Sequence, residues 1–131
     1  MAVTHSTASK DLATNAVVDQ LDGAGSKLVF RISTSSIGTP GAAVATLTFA
    51  TPAFGASSSG TATAGAIASD TNATGNAAAV AFASLQTSAD VLHIHCAVAA
   101  SGSDINMTNG LTVAAGDTVS CSSLTYAALS A

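Results

Sequence analysis

Apolar and polar positions change their period once along this chain. From Ser9 to Asp22, Leu12, Ala13, Ala16, Val17, Gln20 and Leu21 lie along one side at spacings of three and four, the period of an α-helix face. Ser9 is a suitable N-cap, Asp11 falls in the first turn where the helix dipole favours a carboxylate, and Gly23 supplies a stop. The pattern predicts a helix over residues 9–22 whose apolar side lies on a sheet or on a partner. The small polar residues 1–8 before it read as an N-terminal arm.

After Gly25 the period becomes two. Leu28, Phe30 and Ile32 alternate with Val29 and Arg31, which predicts a strand from Lys27 to Ser33. A loop around Gly38 and Pro40 leads to a second strand, Val44 to Phe49, closed by Pro52. A turn at Ser57 to Gly60 precedes alternating small residues from Thr61 to Ser69, and Asp70 to Asn76 is rich in turn formers. Further strands are predicted from Ala77 to Leu85, from Asp90 to Ala99, over Ile105 to Met107, over Leu111 to Val113 and from Thr118 to Ala127, with turns at 101–104, 109–110 and 115–117. About seven or eight short strands with turn signals between them predict an all-β fold, an antiparallel β-sandwich of jelly-roll-like form with one N-terminal helix. The length, 131 residues, fits one domain, residues 9–131, behind the arm.

Composition narrows the function classes. Only 8% of residues are charged, against about 25% in ordinary soluble domains. Lys10, Lys27 and Arg31 face seven aspartates, for a net charge of −4. Nucleic-acid binding needs a basic stripe, and this chain has none. A mean hydropathy of +0.51 is too high for a disordered acidic tail. No charged residue occurs from Ile32 to Ser69, but Pro40, Pro52 and the run Ser57-Ser58-Ser59-Gly60 leave no window of about 20 apolar residues for a membrane span. The N-terminus lacks the apolar segment of a secretory signal, so synthesis and assembly in the cytosol are expected.

Chemistry-bearing residues are few. His93 and His95 fall on one face of a strand, about 6.5–7 Å apart. Two imidazoles hold a transition metal only with a third ligand, and the chain offers only His5 and distant aspartates. The opposite face of that strand, Leu92, Ile94, Cys96 and Val98, reads as a core stripe. Cys96 and Cys121 lack the basic, electropositive setting of a nucleophile and read as small core hydrophobes. A bond between them requires adjacent strands. Asp19 and Asp22 read as a solvated helix face. Asp70-Thr71-Asn72 and Asp104-Ile105-Asn106 offer alternating oxygens, but without the length or acidic density of a calcium loop, and read as turns. Gly23-Ala24-Gly25 precedes a strand and is no phosphate cradle. No catalytic, cofactor or metal site is expected, and the chain reads as a non-enzyme without a cofactor.

The order of several segments carries a resemblance. The helix leads into Lys27-Leu28-Val29-Phe30-Arg31-Ile32, followed by Leu47-Thr48-Phe49, Pro52-Ala53-Phe54-Gly55-Ala56 and Ala66-Ile67-Ala68-Ser69-Asp70-Thr71. Ser101-Gly102-Ser103-Asp104-Ile105-Asn106 and Val113-Ala114-Ala115-Gly116-Asp117-Thr118-Val119 come later. From about Leu12 to Leu124 this succession resembles small virion structural proteins of tailed bacteriophages. His93, His95 and Cys96 depart from the group's pattern, as does the scarcity of aromatics. The resemblance implies a capsid decoration (cement) protein. Such a protein is made in the host bacterial cytoplasm, sits on the virion's capsid surface and clamps neighbouring major capsid proteins. It implies a homo-oligomer, a trimer above all, with no nucleic-acid or membrane partner. The alternative it leaves is a tail- or fibre-associated β-module that contacts the host surface. The strands after Arg31 have almost none of the charge that protects strand edges in solution, which suits a protein working in an assembly.

Overall fold

The computed structural model describes residues 3–129. In chain order these form helix α1 (Thr7–Val18), a 3-10 turn (Asp19–Leu21), and strands β1 (Lys27–Ile32), β2 (Ala43–Phe49), β3 (Ala62–Thr63), β4 (Ile67–Ala68), β5 (Val80–Gln86), β6 (Leu92–Ala99), β7 (Ile105–Asn106) and β8 (Thr125–Tyr126). The fold is β-rich with one short helix. Six strands make one sheet in the order β4-β2-β1-β5-β6-β7, and β3 pairs with β8 in a separate ribbon.

Period-two alternation explains the sheet. Direct cross-strand partners share a face, so Leu28 lies in one row with Leu47 on one side and with Leu85 and Ile94 on the other. The next row is Ala45, Phe30, Ala83 and Cys96. Here alanines flank the one large ring, which gives Phe30 its space. These rows form the inner face, and most of their side chains are buried. Val18 and Leu21 of the helical segment, Phe49, Phe54, Val113 and Val119 belong to the same cluster. The Phe49 and Phe54 rings meet at 5.7 Å.

The helix departs from expectation at both its start and its docked side. It begins at Thr7, and its N-cap is Ser6, whose hydroxyl accepts from the Ser9 N–H at 3.2 Å, so Ser9 is not the cap and Asp11 is beyond the first turn. The predicted arm is correspondingly shorter, with Met1 and Ala2 outside the described residues. Thr14 and Val18 are buried, while Leu12 on the expected apolar side is 72% exposed. The cause is polar. Asp11 Oδ1 accepts from Gly60 N–H at 2.7 Å and from the Ser57 hydroxyl at 2.9 Å. Thr14 Oγ1 donates to the Gly60 carbonyl at 2.7 Å and accepts from Ala128 N–H at 3.1 Å. A stripe made largely of alanine offers little area, and satisfying these buried groups outweighs it.

Three expected strands also change. The Thr61 to Ser69 segment divides at Gly65: β3 joins the ribbon and β4 the main sheet. Leu111 to Val113 is not a strand, although the Leu111 and Val113 carbonyls accept from Val80 and Asn76 N–H. Of Thr118 to Ala127 only β8 and a bridge between Asp70 and Val119 are extended pairings. The antiparallel expectation fails at one place: β6 and β7 pair parallel, because the chain loops back over 100–104 and returns beside its own strand.

Candidate functional site

The outer face of the sheet carries the chain's polar chemistry. Alternation places Val29, Arg31, Ser84, Gln86, Phe82 and His95 there, opposite the inner rows. Arg31 is only 8% exposed, and Ser84 and Gln86 are buried beside it. Its guanidinium donates from Nε to the Ser84 hydroxyl at 3.0 Å and from Nη2 to Gln86 Oε1 at 2.9 Å. From Nη1 it donates to the Gly41 carbonyl at 2.6 Å. Ser84 donates to Gln86 Oε1 at 2.8 Å, and Gln86 Nε2 donates to Asp90 Oδ1 at 2.8 Å. The Lys27 ammonium reaches the same Asp90 oxygen at 2.8 Å. A continuous network thus runs from the loop after β1 to the hairpin between β5 and β6.

Electrostatics follow from burial. Desolvation pulls the Arg31 guanidinium below its ordinary pKa, and Asp90 acts in the opposite sense. The exposed Asp90 carboxyl is held below its usual range by hydrogen bonds from Lys27 and Gln86 and by the Lys27 charge. The network's work is mechanical: it holds the 33–42 loop over the outer face. Ser35 in that loop is buried, and its hydroxyl lies 3.2 Å from His95 Nε2. The His95 ring packs on Phe82 at 4.9 Å.

His93 and His95 sit on the outer face, as the alternation requires. Among the described residues no group of three or more His, Cys, Asp or Glu comes together to hold a metal. Cys96 packs against the inner cluster and donates to the Ala83 carbonyl at 3.6 Å. Burial first, then Asp104, pushes its thiol up to about 11. Cys121 also packs against the cluster, from coil rather than from a strand, and burial raises its thiol while the Ser123 carbonyl opposes. Both cysteines are free.

Most aspartates act on backbone. Asp70 accepts from Thr46 and Asn72 N–H, Asp104 from Ala97 N–H and Asp117 from Ala114 N–H, each at 2.8–3.0 Å. Asn106 Oδ1 accepts from Ser103 N–H. The two Asp-x-Asn segments are therefore turn devices. An open groove of about 710 Å³ lies between residues 104–113 and 117–125, floored by Phe30 and lined chiefly by hydroxyls and amides.

Sequence reasoning treated Arg31 only as part of the charge balance and did not identify its network or the loop seated on it. The available signal was a single arginine within an apolar strand. Its partners, Ser84 and Gln86, are more than 50 residues away, so only the strand pairing reveals them. In comparisons with known proteins, no family model, no curated protein and no solved structure matches the chain.

Proposed function

We propose that this chain is a non-enzymatic virion structural protein, a decoration (cement) protein. It binds the capsid surface and stabilises contacts between major capsid proteins. It is made in the bacterial host's cytoplasm and acts as a homo-oligomer without nucleic acid, membrane or cofactor. The carrying observation is where the charge goes. Asp11, Asp70, Asp104 and Asp117 accept hydrogen bonds from the backbone, Asp90 is engaged by Lys27 and Gln86, and Arg31 is buried. This leaves a surface rich in hydroxyls with exposed Val3, Leu12, Ile37 and Val91. Such a surface has little charge to resist association, and many weak contacts on a lattice sum to firm attachment. The main sheet, with helix, ribbon and coil packed on its inner face, supports a sandwich-like reading in which the second layer is reduced. Imaging of the virion tests the role: several hundred copies on the shell are expected.

The groove beside residues 117–125 favours a second reading, a tail- or fibre-associated module contacting the host surface. Its hydroxyl and amide lining suits weak glycan contacts. A handful of copies at the tail, and none on the shell, would replace the first reading with this one.

A further inference from the structure

The two edges of the main sheet are treated differently. Along β2, Gly75 N–H donates to the Val44 carbonyl at 2.9 Å and Thr46 N–H to Asp70 Oδ2 at 2.8 Å, and β4 pairs with Thr48 and Phe49. That edge is occupied. On the other side, β7 pairs only with Val98 and Ala99, and the Asp104 carboxylate takes the Ala97 N–H. Backbone groups alternate in direction along an antiparallel strand. Since the Ala97 N–H points away from β5, those of His93 and His95 do so too. Among the described residues neither has a backbone partner on that side. The stretch has no lysine, arginine, aspartate or proline to guard it. The ladder irregularity at Leu85/Gln86 bends the start of β6 but does not cover it.

Unpaired backbone groups on an extended strand call for another extended strand. We propose that this strand is β6 of a second copy, paired antiparallel about a two-fold axis at Ile94. The register is self-complementary. Ile94 falls opposite its own copy, His93 opposite His95, and Leu92 opposite Cys96, so every cross-strand pair is uncharged when the imidazoles are neutral. His93 and His95 would exchange about four N–H to carbonyl bonds across the axis. Val91, 52% exposed, adds apolar contact where the strand begins. A head-to-tail ring would require β6 to join a β2 edge, and that edge is filled, which leaves the two-fold arrangement. The pairing does not depend on a virion role, and its test needs no capsid.

Sedimentation of the full chain over a wide concentration range should show a monomer giving way to a dimer. Residue-resolved hydrogen exchange should show the His93 and His95 amides gaining protection as the dimer forms. His93→Pro, which removes an outward N–H without touching the β5 ladder, and His93→Lys, which sets a fixed charge opposite His95 of the second copy, should stay monomeric while keeping the wild-type circular dichroism. A chain that is monomeric throughout, a trimer, or a dimer that persists in both folded variants would overturn the proposal. Should neither variant fold, the wild-type exchange decides: a dimer whose His93 and His95 amides exchange freely overturns it, and protected amides support it.

Discussion

Single residues carry this fold through contacts that their types alone do not announce. Arg31 joins the two halves of the outer face, and Arg31→Met is expected to cost about 2–3 kcal/mol. Hydrogen exchange should show the 33–42 loop opening in that variant, because the Gly41 carbonyl loses its donor. Gly75 has a φ of +73°, and a Cβ there would strike the backbone at Ala114 and Ala115. Gly75→Ala should therefore cost about 3 kcal/mol or more, read as a fall in the denaturant midpoint. Cys96 predicts an alkaline dependence. Its folded pKa stands at about 11 against an ordinary 9.0, so the folded state favours the neutral thiol. That stability is intact below about pH 9 and is lost as pH rises towards 11, since the unfolded chain ionises first. Chemical denaturation at stepped alkaline pH should show this slope in the wild type and a shallower one in Cys96→Val.

At the level of elements, α1 is attached by hydrogen bonds more than by apolar area. Asp11 and Thr14 clamp the turn 57–60, and Thr14 also receives Ala128 N–H, so one helix face ties two distant segments to the sheet. Thr14→Val preserves shape and removes both bonds. It should destabilise by about 1–3 kcal/mol, with thermal unfolding as the measure, whereas Leu12→Ala on the exposed side should change stability by less than about 0.5 kcal/mol. The short strands β3, β4, β7 and β8 are elements only by virtue of their partners. Two residues cannot hold an extended conformation alone, and each is completed by turns capped through Asp70, Asp104 and Asp117.

The molecule as a whole presents an almost uncharged scaffold with one filled sheet edge and one open one. Under the decoration reading, the N-terminal arm reaches a neighbouring subunit, and Val3 is 71% exposed. Deleting residues 1–4 keeps the Ser6 cap, so the truncated chain should fold as the full one does and bind capsids more weakly. Occupancy on shells, counted by imaging or quantitative gel, checks this, and full occupancy would remove the arm from the attachment.

Alternation and turn chemistry, both local, were enough to place β1, β2, β6 and β7 and to set the inner and outer faces of β6. They also located the helix to within a few residues, the turn roles of the Asp-x-Asn segments and the apolar setting of Cys96. Local pattern misjudged Leu12 and the segments 61–69, 111–113 and 118–127. A helix of small residues docks wherever its buried polar groups find partners, and alternating Ala, Ser and Thr fit strand and coil alike. The Arg31 network, the seat of the 33–42 loop and the contrast between the two sheet edges arise from pairings across tens of residues. Those pairings are set by strand order, which the tertiary structure alone decided.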